Sequence, residues 1–372
     1  KQTGDWTEIF KIIRILTLSS LRSESLDNTS QKAGLLGLSS SELSDALKEL
    51  GAPSYLHKQI WDWIYKKHVQ SFDEMTNISQ KLREQLKEKY RISPFLNVTP
   101  HPADDGLAIK YQFQLSDCQF VEAVVLNEGD YYTLCISSQC GCPVDCKFCL
   151  TGIMGFKRQL TKEEILGQFH RCRSEYPITN IVFMGMGEPL LNYAEVIPSI
   201  DFLSDENAFA LSKRKITVST SGYLASIKRL IQDDVHLNLA FSVGHPNPEE
   251  REKVMPIEAK NPIHEVSRLL KQYLGLHNRK LTLEYTLLKD VNDDDEAARE
   301  LGNLAKYLDA KVNLINLNPH PSIPFEPVSK RKIQRFKEIL HSDRVRATLR
   351  IPKGQDAWAA CGQLANLDPA ET

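Results

Sequence analysis

No run of about 18 consecutive apolar residues occurs in the chain, so a membrane-spanning helix is not expected. Net charge is nearly absent as well, with 46 Lys and Arg against 48 Asp and Glu. A nucleic-acid partner would therefore be held by local basic clusters, because no global field would attract it. Cysteine is sparse, with eight residues in 372. That does not make a secreted disulfide scaffold, and the clustering of the thiols suits a reducing cytosol. The length exceeds what one core usually holds, so one large domain and a smaller companion are expected. Within a leader of residues 1–34, the stretch from Ile9 to Leu21 mixes apolar residues with Lys11, Arg14 and serines, faintly like a transit peptide. Asp5, Glu8 and Glu24 oppose that reading, and a disordered leader or frayed helix is expected instead.

What is present is concentrated in Cys142-Pro-Val-Asp-Cys146-Lys-Phe-Cys149. Thiolates spaced in this way converge on one metal centre from a short loop. Three sulfurs are one short of the four that normally hold a cubane iron–sulfur cluster, which leaves one iron open to a small molecule. Phe148 is placed to shield such a cluster from water. A structural zinc knuckle would need a fourth ligand, and Cys140-Gly-Cys142 is a cramped pair for tetrahedral zinc. Unliganded buried cysteines would be unusual at this density.

Leu43, Leu47 and Leu50 repeat at helical spacing before Gly51-Ala-Pro53. Further helical patterns carry Ile60, Trp61, Ile64 and Tyr65, and then Leu82, Leu86 and Tyr90. Residues 35–93 thus read as a small helical domain with basic side chains. Over 94–126 a Pro- and Asp-rich linker (94–105) is expected, then a β-hairpin (108–126). From 127 to 345 six β-branched runs fall near 133–138, 180–184, 216–219, 237–243, 281–288 and 312–317. Helical patterns at 161–173, 193–203, 224–231, 263–274, 294–308 and 329–340 alternate with them. Six such units imply an α/β fold with a parallel sheet and right-handed crossovers, too few to close an eight-stranded barrel. The expectation is a partial, six-unit β/α barrel with a small N-terminal helical accessory domain. Chemistry gathers at the carboxyl ends of barrel strands, where the cysteine loop falls. Residues 345–351 read as an added strand, and 346–372 as a C-terminal segment carrying Cys361.

Gly185-Met186-Gly187-Glu188-Pro189 follows the second strand. The glycines let a ligand approach the backbone, and Glu188 can accept a hydrogen bond from an ammonium group. Taken alone, an ordinary strand-to-helix turn explains it as well. Ser219, Ser242 and Asn318 stand at strand ends, where each also fits a helix cap. By composition alone Cys118, Cys135, Cys172 and Cys361 are small hydrophobes or stray thiols, and Glu122 an ordinary strand residue.

The cysteine spacing, with the glycine–glutamate turn one unit later, resembles the signature and GEP motif of radical S-adenosylmethionine (SAM) enzymes. Thr133-Leu-Cys135-Ile-Ser-Ser-Gln139, Thr151-Gly152, Gly155-Phe156, Ser219-Thr-Ser-Gly222 and Ala360-Cys361-Gly-Gln-Leu364 extend the likeness. Lys58-Gln-Ile-Trp61 and Phe72-Asp-Glu-Met-Thr76 carry it into the helical region. From about residue 35 to 366 the chain resembles the RlmN/Cfr family of radical SAM RNA methyltransferases. One departure is Ser242-Val243-Gly244-His245-Pro246, where most of the family reads Ser-Leu-His-Ala-Pro; another is Cys140, where valine is common.

The resemblance implies a radical SAM partial barrel with a 4Fe–4S cluster on Cys142, Cys146 and Cys149. SAM would be held by Gly187, Glu188, Ser219, Ser242, Val243, Gly244 and Asn318. It implies methylation of carbon 2 of adenosine in 23S rRNA and tRNA, with carbon 8 as the rival within the family. Cys361 would carry the methyl group, Glu122 remove the ring proton, and Cys135 release the product by forming a disulfide. A flavodoxin or ferredoxin electron donor, a cytoplasmic location and a monomer follow by the same likeness. The rival of another class is a non-catalytic ribosome-binding protein with a structural metal. Lys157-Arg158, Lys213-Arg214-Lys215, Lys330-Arg331-Lys332 and the helical-domain lysines are the candidate phosphate-tracking rim. The target adenine would be unstacked before its ring carbon is reached.

Overall fold

The computed structural model describes residues 32–277 and 279–365. The expected leader therefore lies outside the described residues, except for its last three positions. The chain divides into two compact units, one of residues 32–97 with Gln114–Gln119, the other of Val98–Phe113 and the chain from Phe120 onward.

In the first unit, strand β1 (Ala33–Gly34) is followed by helices α1 (Ser40–Glu49), α2 (Leu56–Tyr65) and α3 (Gln80–Lys89). Strand β2 (Tyr90–Arg91) then pairs in parallel with β1. Ser39 opens α1 with a capping box, its side chain accepting from the Glu42 amide while Glu42 reaches back to the Ser39 amide. The leucine and isoleucine repeats point inward: Leu43, Leu47, Ile60, Ile64, Leu82 and Leu86 are all buried. Tyr65 buries its ring yet keeps its hydroxyl satisfied, donating to the Leu35 carbonyl (3.2 Å) and accepting from the Gly37 amide (2.9 Å).

The second unit is built on a ten-stranded sheet. Its antiparallel end comprises β3 (Asn97–Pro102), β4 (Ala108–Gln114) and β5 (Phe120–Asn127). Strand β6 (Tyr132–Cys135) pairs antiparallel with β5 and begins the parallel part. A separate ribbon of β7 (Gln139–Gly141) and β8 (Phe156–Gln159) brackets the cysteine loop and the short helix α4 (Leu150–Ile153). Then follow α5 (Lys162–Arg173), β9 (Ile178–Phe183), α6 (Tyr193–Ser204), β10 (Ile216–Thr220), α7 (Leu224–Gln232) and β11 (Asn238–Ser242). Helices α8 (Pro248–Val254) and α9 (Ile263–His277) lead to β12 (Leu281–Leu287), α10 (Asp295–Leu308), β13 (Lys311–Asn316), α11 (Lys330–Ser342) and β14 (Ala347–Arg350). The spatial order β14-β13-β12-β11-β10-β9-β6-β5-β4-β3 makes this a partial β/α barrel, as the alternating pattern implied. Strands β11 and β12 carry buried apolar residues such as Leu239, Phe241, Leu283 and Tyr285, as parallel strands covered by helices require.

One expectation needs correction. Residues 94–105 are not simply a linker, because Asn97–Pro102 forms strand β3. Pro100 and Pro102 are tolerated because β3 is the edge strand and has no outer neighbour to donate to. The added strand expected over 345–351 is present as β14, which pairs in parallel with β13 as a seventh parallel strand. Among the described residues no helix is long and apolar enough to cross a membrane.

The loops at the carboxyl edge are fastened by Arg251, a wholly buried residue of α8. Its Nε donates to the Val243 carbonyl (2.7 Å) and its Nη2 to the Ser221 carbonyl (2.7 Å), while Nη1 pairs with the buried carboxylate of Glu258. Replacing Arg251 by Gln strands Glu258 without its cation. The expected cost is about 3–5 kcal/mol of unfolding free energy in a denaturant titration. A loss below about 1 kcal/mol would show that the pair is not structural.

Candidate active site

The loops that follow β6 and β9 are laced together. Ser137 Oγ donates to the Glu122 carbonyl (2.5 Å) and accepts from the Met186 amide (2.8 Å). The Glu188 amide donates to Gln139 Oε1 (2.7 Å). So close an approach needs glycine: a Cβ on Gly185 would lie 2.7 Å from the Ile136 carbonyl oxygen, and one on Gly187 2.5 Å from the Gln139 Cβ. The cysteine loop is fixed by Cys142 N to Gly155 O (3.2 Å), Lys147 N to Val254 O (3.0 Å) and Cys149 N to Cys146 O (3.1 Å).

Cys142, Cys146 and Cys149 line one cavity of 170 Å³, shared with Gly187, Glu188, Ser219, Ser221, Ser242 and Gly244. Buried Val144, Leu150, Val254 and Met255 form an apolar bed against which Cys142, Cys146 and Phe148 pack. Burial pushes the Cys142 thiol up to about 12, and the neighbouring thiol of Cys149 adds to the shift. Cys146 is raised well above the usual range by the same causes. Three thiols that resist ionisation alone become thiolates when a cationic centre neutralises them. Cys140 does not join them, since its Sγ donates to the Phe120 carbonyl at 3.5 Å. The loop therefore supplies three sulfurs, and the fourth cysteine on this cavity, Cys361, comes from the terminal segment. Three loop thiolates fit a cubane with one open iron.

Glu188 is buried in the cavity wall. Its Oε2 accepts from the Ser221 amide (2.7 Å) and hydroxyl (2.8 Å), and its Oε1 from the Leu190 amide (3.2 Å). Burial raises its pKa, and the donors from Ser221 oppose that rise. Ser221 was not singled out from sequence; the Ser-Thr-Ser-Gly run was its signal. Ser219 and Ser242 face each other, hydroxyl to hydroxyl, at 3.5 Å. Val243 is off this wall, its carbonyl taken by Arg251. His245 is off it too, its Nδ1 accepting from the Asn247 amide (3.0 Å) at the start of α8. Asn318 is turned elsewhere: its Nδ2 donates to the Cys361 carbonyl (2.9 Å) and its Oδ1 accepts from Gln355 (2.7 Å).

A second cavity, of 410 Å³, is lined by Cys135, Thr151, Met184, Asn318, Arg350 and Cys361 among others. Cys361 and Arg350 line both cavities, whereas Cys135 lines only the larger and the cysteine triplet only the smaller. The terminal segment is held there by Leu150 N to Gly362 O (2.9 Å) and Thr151 Oγ1 to Leu364 O (2.6 Å). Burial pushes the Cys135 thiol up to about 12, the Cys361 thiol adds to this, and the Arg350 guanidinium opposes it. Arg350 gave no signal in the sequence, being one basic residue of an added strand.

Glu122 keeps its strand position but is not gathered with the cavity residues. Its carboxylate is wholly buried, pairs with Lys110 (3.1 Å), accepts from the Ala365 amide (3.0 Å) and lines neither cavity. The basic clusters are thinner than the sequence suggested. Arg158 is held by Glu164 through two bonds (2.9 and 2.8 Å), Lys213 by Asp201 (2.6 Å) and Lys332 by Asp290 and Asp293 (2.9 Å each). Lys157, Arg214, Lys215, Lys330 and Arg331 stay exposed.

Residues 33–92 match the ribosomal RNA large subunit methyltransferase N-terminal domain, and residues 136–302 match the radical SAM superfamily. The dual-specificity RNA methyltransferase RlmN of Halorhodospira halophila is 42% identical over 334 residues, covering 89% of this chain and 92% of that protein. A probable RlmN of Aquifex aeolicus is 41% identical, covering 87% of this chain and 94% of its own. The crystal structure of a radical SAM methyltransferase from Sphaerobacter thermophilus superposes with a TM-score of 0.84 at 38% identity, covering 89% of this chain and 99% of that one. The chain belongs to the RlmN family. It is a radical SAM RNA methyltransferase, and the cofactors of its family are a 4Fe–4S cluster and SAM. The Cys142, Cys146 and Cys149 thiols, with Glu188 on the same cavity, are the residues of this chain that fit them.

Alanine at any one of Cys142, Cys146 or Cys149 is expected to lower bound iron from about four per chain to near zero after anaerobic reconstitution. Cys140→Ala is expected to keep it. Iron assay and visible absorbance distinguish these outcomes, and loss of iron in Cys140→Ala would add a fourth ligand to the set.

Proposed function

We propose that the enzyme methylates carbon 2 of adenosine in 23S rRNA and in tRNA, carrying the methyl group on Cys361 and releasing the product through a Cys361–Cys135 disulfide. The observation that carries this reading is the position of Cys361, whose residue lines both the cavity of the cysteine triplet and the cavity of Cys135. The description of the matched accessory domain favours ribosomal RNA, and the relatives' name, with its dual specificity, favours a second RNA class.

When bound, the cluster and SAM supply hydrogen-atom abstraction from an unactivated C–H bond. That chemistry suits carbon 2 of adenine, an electron-poor amidine carbon that is no nucleophile. This chain does the rest. Glu188 orients an ammonium group, with Ser219 and Ser242 beside it and the Gly187 and Gly244 backbone leaving room. The larger cavity, walled by Val124, Leu126, Met184 and Ile315, takes an unstacked base. Cys361 holds the one-carbon unit against that base. Glu122 serves as the base for the ring proton, and this requires the Ala365 amide to leave its carboxylate and the Lys110 pair to open. The Cys135 thiolate then attacks the Cys361 sulfur. An S–S bond forms as the carbon–sulfur bond breaks, and the carbon keeps the electron pair and takes up a proton.

A reductant returns the disulfide to thiols, which suits a cytoplasmic enzyme served by a flavodoxin or ferredoxin system. Lys157, Arg214, Lys215, Lys330 and Arg331 supply the phosphate contacts, and the chain acts as a monomer. Mass spectrometry of RNA treated with the reconstituted enzyme is expected to find 2-methyladenosine; 8-methyladenosine would overturn the regiochemistry. Cys135→Ala is expected to accumulate a covalent protein–RNA adduct. Because burial holds the Cys135 thiol above the usual range, its thiolate fraction grows with pH throughout the working range. Release from the wild-type adduct should therefore quicken up to roughly tenfold per pH unit, and a release rate flat between about pH 7 and 9 would exclude Cys135 as the rate-limiting nucleophile.

A further inference from the structure

At the opposite edge of the sheet from the cysteine loop, three residues from separate parts of the chain come together. Asp234 and His236 lie in the turn between α7 and β11, and His277 ends α9 just before β12. Asp234 Oδ1 is 3.1 Å from His236 Nε2 and 3.5 Å from His277 Nδ1. One ligand atom from each residue falls within 4.8 Å of the other two. His277 is 6% exposed, and neither of its ring nitrogens has a hydrogen-bond partner among the described residues. A buried imidazole left unsatisfied on both sides calls for a ligand that the protein itself does not supply.

We propose that Asp234, His236 and His277 form a binding site for one borderline divalent cation such as Zn²⁺, separate from the catalytic centre. Two imidazoles and a carboxylate are a common donor set for such an ion. Metal–ligand bonds of about 2.0–2.1 Å place the corners of a tetrahedron roughly 3.3 Å apart, a spacing that the 3.1 and 3.5 Å separations bracket. The group is held in place before any ion arrives. Tyr273 of α9 lies against the His277 ring at 4.6 Å between centroids, and the His236 ring lies 4.2 Å from it. The Tyr273 hydroxyl donates to the Val235 or Leu237 carbonyl (3.0 Å each) and accepts from the Leu237 amide (2.6 Å). That fastens the turn bearing two ligands to the helix bearing the third. Asp234 is open to solvent, with its side chain 82% exposed, so a water can complete the shell. Arg279 is a nearby cation, and the Asp234 carboxylate offsets its charge at His277. Because the site joins the entries to two adjacent strands, an ion there clamps the barrel and takes no part in the reaction.

The test uses full-length, cluster-loaded enzyme and Zn²⁺ alone, so that the cysteine triplet is already occupied. Equilibrium dialysis with metal analysis should find one more Zn²⁺ per chain in the wild type than in Asp234→Ala/His236→Ala, whose substitutions lie at the surface. Zn²⁺ should raise the unfolding temperature of the wild type and leave that of the double variant unchanged. RNA methylation should be equal in both. His277→Phe, which keeps a ring against Tyr273, should lose the same ion. Equal zinc uptake by the wild type and the double variant would overturn the proposal, as would no uptake by either at several hundred micromolar.

Discussion

A thiol near one end of the chain is useful only if something holds it where two cavities meet, and the docking of the terminal segment onto the cysteine loop does so. Thr151 reaches Leu364 across 213 residues of sequence, beside the bond from the Leu150 amide to the Gly362 carbonyl. Asn318 adds a contact to the Cys361 carbonyl, and Glu122 one to the Ala365 amide. Each such bond contributes about 0.5–1.5 kcal/mol. Individually they are weak enough to open, yet together they specify a single position for Cys361. Under the proposed relay, the segment first holds a carbon against a base and then surrenders it to a second thiol, and that balance suits both steps.

The electrostatics of the site have one theme. The triplet thiols, Cys135 and Glu188 are all groups whose charged forms are disfavoured by burial. Charge is admitted only beside a partner: Ser221 donors for Glu188, Arg350 for the Cys135 thiol, and a metal centre for the triplet. Such a site keeps its thiols protonated until the ligand that ionises them is present. This protects them from adventitious oxidation, because the thiolate is the reactive form.

Much of the barrel was legible in the sequence, since β-branched runs alternating with amphipathic helices leave few topologies open. The cysteine triplet and the glycine–glutamate turn were legible because their chemistry is local. What was not legible depends on partners distant in the chain. Pro100 and Pro102 suggested a linker, and only an edge position makes a strand there possible. Asn318 stands at a strand end suited to a ligand, but the terminal segment claims its amide. Glu122 sits in the strand as expected, yet Lys110 and Ala365 seal it from both cavities. Arg251, Ser221 and Arg350 are single residues without a motif, and their roles follow from which loops the barrel brings together. The basic runs overstated the free charge, because Glu164, Asp201, Asp290 and Asp293 come from neighbouring loops and helices.

The central claim is that Cys361 bears the one-carbon unit between the two cavities. Incubating the anaerobically reconstituted enzyme with methyl-deuterated SAM in the absence of RNA, then sequencing its cysteine peptides by mass spectrometry, tests that claim most directly. The account predicts a deuterated methyl group on Cys361 and none on Cys135. Label on another cysteine, or an unmodified Cys361 in enzyme that still methylates RNA, would contradict it.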